Sequence, residues 1–236
     1  MGNKIQIIGR EKNSESFINI LPASDFIPTW YRKTNPQMTG TTTELNFNNP
    51  QMTNSTYKKC SPFFDGISSG YMVYLSADIE VTRKDDGMPY IMWRTKRTII
   101  SDHDFSQWDG LPVPKGYSAF VYKWHNQFGL KTPKGYSLLF MSPANRFDLP
   151  FQTITGIVDT DKYTAPIHFP FFIRDDFSGI IESGTPIVQI VPIKRDIWSR
   201  DFIEYNEKDT DILSETFLSK IKRSYKNNFW TRKEYK

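Results

Sequence analysis

Between Cys60 and Ile193 apolar and polar positions alternate in short runs, YMVYLSADIEV, PYIMWRTK, YSAFVYKW, YSLLFMS, GIIE and PIVQIVPI, with Gly, Pro and Asp between them. Strands at a spacing of about 8–12 residues, separated by turn chemistry, predict an all-β sandwich or barrel and not βαβ units. The pentapeptide PKGYS occurs at Pro114–Ser118 and again at Pro133–Ser137, each time ahead of apolar residues. Each copy predicts a turn that launches a strand, with Pro fixing φ and Gly admitting positive φ. Near the C-terminus the pattern changes. Leu213, Phe217, Ile221 and Tyr225 recur every four residues, and Leu218 and Phe229 extend the same side of a helix. Asp209 or Thr210 is its expected N-cap, and Lys220, Lys222, Arg223 and Lys226 crowd its later turns, where positive charge suits the helix dipole.

The N-terminal quarter is irregular. KIQIIG reads as a short strand, and the stretch from Leu21 to Lys59 carries prolines among many Thr, Ser and Asn. It reads as an extended arm anchored by Phe26, Trp30 and Tyr31. Three segments follow from this patterning: an extended arm over residues 1–59, a β core over 60–200, and a C-terminal helix with a basic tail over 201–236.

Composition adjusts the picture in a few places. The chain has 236 residues, enough for one large β domain, and its 18 Phe and 12 Tyr imply an aromatic-rich core or interface. No run approaches the roughly 20 apolar residues of a membrane span, and the first residues lack the apolar segment of a secretory signal, so a cytosolic protein without membrane association is expected. The single Cys60 excludes an intramolecular disulfide and is expected to be a small core residue. The net charge of +4 is localised: from Asp211 onward Lys and Arg outnumber Asp and Glu by seven to three, and the rest of the chain is balanced. The tail SKIKRSYKNNFWTRKEYK interleaves basic and aromatic residues, which suits a solvated helix face, a nucleic-acid surface or docking on a partner. Trp30, Tyr31, Lys222, Arg223 and Trp230 are the partner-docking candidates.

Candidate chemistry centres on GIVDTDKYTAPIHF (Gly156–Phe169), where Asp159, Asp161 and Tyr163 cluster. Two carboxylates with an aromatic ring can hold a cation or a ligand, or can cap a turn by accepting backbone N–H bonds. The histidines, His103, His125 and His168, could converge on a metal but each lies among aromatic residues, the context of packed or hydrogen-bonded rings. No metal site is assigned.

Three stretches in order, SSGYMVYLSADIEV, TPKGYSLLFMSPANRFDL and GIVDTDKYTAPIHFPFFIRDDFSGIIESGTPIVQIVPI, resemble the dUTPase and dCTP deaminase superfamily over about half the chain, Ser68–Ile193. The whole chain is also similar to an uncharacterised family of bacteria and tailed bacteriophages. The fold so implied is a β-clip, a distorted jelly roll, in proteins that commonly form trimers. Carried over, the resemblance assigns water activation to Asp159 or Asp161 and nucleoside shielding to Tyr163, with Asn145, Arg146 and Gln189 as further ligand-binding candidates. The sequence departs from the pattern in several ways. Met72 replaces the aspartate that anchors magnesium, and SPANRFDL replaces the Pro-Arg-Ser-Gly phosphate loop. Pro186 replaces an arginine, Lys162 is inserted before Tyr163, and the glycine-rich closing arm is missing. These losses point to a non-catalytic β-clip protein that serves as a structural or assembly component of a bacteriophage particle, self-associated as a trimer or joined to other assembly proteins. It would reside in the host cytoplasm and enter the virion, with no cofactor. A deoxynucleotide-hydrolysing or deaminating enzyme, which would need magnesium, and a nucleotide-sequestering protein are the alternatives.

Overall fold

A computed structural model describes residues 3–9, 18–37, 56–85, 87–204 and 224–236. In chain order the elements are β1 (Gln6–Gly9), β2 (Ile20–Pro22), α1 (Thr29–Lys33), α2 (Ser61–Ser68), β3 (Tyr71–Tyr74), β4 (Ile79–Arg83), β5 (Pro89–Trp93), β6 (Ile100–Asp102) and β7 (Tyr117–Trp124). There follow β8 (Phe128–Lys131), β9 (Tyr136–Met141), β10 (Phe151–Thr153), β11 (Gly156–Val158), β12 (Phe169–Arg174), β13 (Gly179–Ile181), β14 (Pro186–Lys194) and α3 (Ser224–Asn228). The protein is mainly β, and all its strand pairs are antiparallel.

Two sheets carry the core. One has the order β11-β9-β14-β3-β2 and the other β10-β12-β7-β6; β13-β4-β5 and β1-β8 form smaller ones. β14 lies between β9 and β3 and is buried without alternation from Pro186 to Ile190, the pattern of a strand covered on both faces. Aromatic rings line the second sheet and reach the first. Trp124 of β7 stacks on its sheet neighbour Phe171 of β12 with centroids 3.6 Å apart, Phe151 of β10 in the same sheet meets Trp124 edge-on at 5.2 Å, and Phe140 of β9 reaches across to Phe169 of β12 at 5.3 Å. Thr153 adds a polar tie, its hydroxyl donating to the Ile187 carbonyl of β14 at 2.7 Å while accepting from the Trp124 indole at 3.3 Å.

Both PKGYS copies do as expected. The Tyr117 amide bonds the Pro114 carbonyl at 3.1 Å, the Tyr136 amide bonds the Pro133 carbonyl at 3.2 Å, and Gly116 and Gly135 have φ of 81° and 86° ahead of β7 and β9. The described parts of the N-terminal stretch add strands to the core: β1 pairs with β8, and β2 extends the large sheet beside β3. Tyr31, expected both as an anchor of the arm and as a docking candidate, is buried in its own chain as an anchor, stacked on Phe63 at 5.8 Å with the Lys58 ammonium 4.1 Å from its ring centre. Trp30 is half-buried and donates to Asp148 at 3.2 Å. Cys60 is exposed at the start of α2 and not in the core, because the helix that begins after it turns Ser61 and Ile67 inward instead.

Most of the predicted C-terminal helix, with Lys222 and Arg223, lies outside the described residues; its last part is α3. Beyond α3 the tail returns to the core. The Trp230 indole donates to Asp65 of α2 at 2.9 Å, Lys233 pairs with the same carboxylate at 2.7 Å, and Tyr235 packs edge-on against Tyr71. Trp230, a second partner-docking candidate, thus contacts its own α2.

Close backbone approaches generate the first prediction. A Cβ on Gly70, where φ is +76°, would lie 1.9 Å from the Ile190 carbonyl oxygen, and one on Gly129 would lie 1.9 Å from that of Thr164. Gly70→Ala and Gly129→Ala are each expected to cost about 1–3 kcal/mol, read as a fall in Tm of roughly 2–4 °C per kcal/mol. Gly116→Ala, with positive φ but nothing within 4 Å, should cost only about 1 kcal/mol. Thermal melts of the three variants would show this ranking.

Candidate functional site

β11 ends at Val158, and the chain then turns so tightly that the Asp159 carbonyl accepts from both the Lys162 and Tyr163 amides at 2.9 Å. Thr160, between the two aspartates, is fully buried, and its hydroxyl meets that of Thr132 at 2.9 Å, which in turn donates to the Tyr136 carbonyl. This threonine pair fixes the direction of the flanking carboxylates. Asp161 accepts the Gly135 amide at 2.9 Å and pairs with the Arg195 guanidinium. Asp159 accepts the Ser137 hydroxyl at 2.7 Å and lies 3.1 Å from the same guanidinium. Arg195 also donates to the Tyr136 carbonyl at 2.9 Å, and its own amide bonds the Gly135 carbonyl at 2.8 Å.

The electrostatics follow from this packing. The Arg195 hydrogen bond, then the Gly135 amide, holds the Asp161 carboxyl down at about 2, and Asp161 in turn raises Arg195. The Asp161 side chain is only 6% exposed, and its Oδ1 has no hydrogen-bond partner among the described residues. Arg195 was not singled out from the sequence. Its only signal there was position, one residue beyond the strand that ends in PIVQIVPIK.

The remaining candidates lie elsewhere. Tyr163 is 52% exposed, just past the turn. Gln189 is buried in the middle of β14, where its amide nitrogen donates to the Gly66 and Ser69 carbonyls at 2.9 and 2.8 Å and its oxygen accepts the Ala144 amide at 2.8 Å. Asn145 follows with φ of 57°, and Arg146 grips Asp148 through two nitrogens at 2.9 and 2.8 Å. Burial would raise Asp148, but the hydrogen bonds and charge of Arg146, with the Trp30 indole, bring it below the usual carboxylate value. The aspartate corner lies beside the start of β9, against Gly135, and the Asn145–Arg146 loop follows its end. Six residues of strand at about 3.3 Å each separate them by about 20 Å, so one chain does not gather the predicted residues around one ligand.

Magnesium does not fit either end. Arg195 already supplies the cation between Asp159 and Asp161. Met72, buried in β3 opposite Gln189, offers only a thioether. No group of three or more His, Cys, Asp and Glu side chains among the described residues is placed to hold a metal. The histidines engage their surroundings: His125 bonds Ser101 at 2.8 Å, His168 accepts the Asn126 amide at 3.3 Å, and His103 lies edge-on to Trp108. Burial lowers the pKa of His103 and His125, with Lys123 adding to both. No described helix is long and apolar enough to cross a membrane.

Among solved structures, the chain is similar to a dUTPase of EIAV, at 10% identity and a TM-score of 0.33, over 59% of this chain and 87% of that one. It is similar to the dUTPase of Staphylococcus bacteriophage 80alpha, at 15% identity and 0.27, over 55% and 96%. A third similar structure is the 2'-deoxycytidine 5'-triphosphate deaminase of Agrobacterium tumefaciens, at 12% identity and 0.34, over 84% of this chain and 51% of that one. No family model and no curated protein matches the sequence.

The corner predicts an acid dependence. Asp161 has its carboxyl lowered from an ordinary 3.8 to about 2, so the stability it contributes is present above about pH 4 and is lost as pH falls toward 2. Melts of the protein and of Asp161→Asn should therefore differ most near neutral pH, with the gap closing through that acid window.

Proposed function

We propose that this chain is a non-catalytic protein on a dUTPase-like β fold, acting as a structural or assembly component, and that the assembly is a bacteriophage particle, the source implied by the whole-chain resemblance. The observation that carries this reading is the state of the polar groups that chemistry would need. Both carboxylates of the corner bind Arg195, the Gln189 amide binds backbone on three sides, and the Arg146 guanidinium is held by Asp148. Hydrolysis of a nucleotide would require a carboxylate free to activate water and a cation free to neutralise phosphate. Freeing either here means breaking a contact that holds a turn or loop of the fold.

The surface supports assembly. Phe147, Ile157, Ile180, Trp198 and Phe202 are large apolar side chains exposed on the single chain, and assembly would cover them. The protein would be made in the host cytoplasm and join the particle there, without a cofactor. Sequestration of a nucleotide is the second reading that the same experiment addresses.

One preparation of the full chain tests this. Incubated with a panel of deoxynucleotides and magnesium, it is expected to release no product and to show no ligand-dependent rise in Tm, where a ligand at a hundred times its Kd would add about 2.7 kcal/mol; by sedimentation it is expected to self-associate. Turnover that Asp159→Asn abolishes while the melt stays cooperative would establish an enzyme instead. A large shift with the nucleotide recovered unchanged would establish a sequestering protein.

A further inference from the structure

Beyond β14 the chain runs from Arg195 to Glu204 outside any helix, strand or turn. Ile197, Trp198, Phe202 and Ile203 on it are each 80% exposed or more. The base of this segment is fixed, because Arg195 is locked into the aspartate corner through both its side chain and its amide. Past that point the polar contacts among described residues are the surface pair Lys194–Asp196 and the Phe202 amide on its neighbouring Asp201 carboxylate. A rooted segment thus presents unpaired backbone and four large apolar side chains.

Its sequence reads RDIWS followed by RDFIE, twice a basic residue, an acidic residue and two apolar ones, with Lys194 and Glu204 balancing the flanks. A charge-neutral segment is not selected by a nucleic acid or by a strongly charged protein. It is, however, complementary to itself. In an antiparallel pair centred on Trp198, Trp198 opposes Trp198, Asp196 opposes Arg200 and Arg200 opposes Asp196, all on one face, while Ile197 and Ser199 oppose each other on the other face. Aromatic pairs and opposite charges directly across are the favourable cross-strand combinations. Centring on Arg200 would instead set Arg200 against itself and Asp196 against Glu204. The apolar side chains within this register, Ile197 and Trp198, carry about 350 Å² per copy, so covering them on two copies would remove about 700 Å², the size of a weak, transient contact.

We propose that two copies of this chain associate through antiparallel pairing of their Asp196–Arg200 segments about a two-fold axis at Trp198. This deepens the assembly reading and rests on it. Because the contact is isologous, each substitution acts twice, and a charge swap within one chain rebuilds both pairs.

Sedimentation equilibrium of the full chain, with Asp196→Arg, Arg200→Asp, the double exchange and Trp198→Ala, tests it. Each single reversal and Trp198→Ala should weaken self-association by about tenfold or more, and the double exchange should restore it with unchanged Tm. If Asp196→Arg alone strengthens association, the Arg200-centred register holds and the proposal falls. If all variants associate like the parent, the contact lies elsewhere and the assembly reading stands without this interface. A parent chain that is monomeric throughout removes both. Nucleotide turnover with swap-sensitive association removes the non-catalytic reading and leaves the interface.

Discussion

The fold depends on one buried amide. Gln189 stands in the central strand of the larger sheet, where a side chain with two donors and an acceptor would be costly without partners, since an unpaired buried polar group costs about 1–3 kcal/mol. Its partners are all backbone: the carbonyls of Gly66 and Ser69 at the end of α2, and the Ala144 amide in the loop after β9. Satisfying the amide therefore places a helix and a loop against the sheet at the same time. Gly70 allows the helix to come so close, with its α-carbon facing the Ile190 carbonyl where no side chain fits. The return of Trp230 and Lys233 to Asp65 then fastens the C-terminal residues onto the helix that Gln189 has positioned.

At the other end of the β9–β14 ladder a charge does the equivalent work. Arg195 leaves β14 and binds the turn that launches β9, through the Gly135 and Tyr136 carbonyls, and the turn that ends β11, through Asp159 and Asp161. An ion pair on an open surface contributes little, but here one carboxylate is almost fully covered and also receives a backbone amide, so its loss would leave a buried group without its counter-charge. The same residues that resemble a water-activating motif thus set the register between three strands. The opening φ of Gly135 matters for this reason: its amide and carbonyl both face the corner.

Much of this was legible before any coordinates. The six alternating runs are strands or contain them, and both PKGYS turns launch strands, because period-two patterning and Gly-Pro chemistry are local signals. What was missed was non-local. β12 reads FPFFIR, and a proline within an apolar run argues against a strand, yet Pro170 only contributes its carbonyl to the Ile154 amide. β6, β10 and β11 span three residues each and exist through their neighbours. α2 hid in SPFFDGIS because its brief apolar face is indistinguishable from a buried strand. At the corner the sequence marked Asp159 and Asp161, and capping by backbone amides was among the roles open to them. Their principal partner was invisible, since nothing in KRD distinguishes Arg195 from its neighbours. Gln189 was marked for a ligand because a motif spacing says nothing about whether the amide faces a cavity or its own backbone.

The placement of the sheet edges bears on how such a protein can associate. Apart from β5, of five residues, and β1 and β8, of four, the edges β2, β11, β10, β6 and β13 close their sheets with strands of three residues, too short to template a stable pairing with another chain. Such short edges disfavour indiscriminate strand addition, which for a chain this rich in aromatic residues would otherwise be an aggregation route. Side-chain surfaces and backbone that lies outside the sheets offer association another route. The segment after Arg195 has both features, and it starts from an arginine held by two carboxylates. A rigid root matters because the ordering cost of an interface falls when its elements already point in the bound direction. The ionic corner thereby links two roles: it holds the strands in register, and it aims the segment that leaves them.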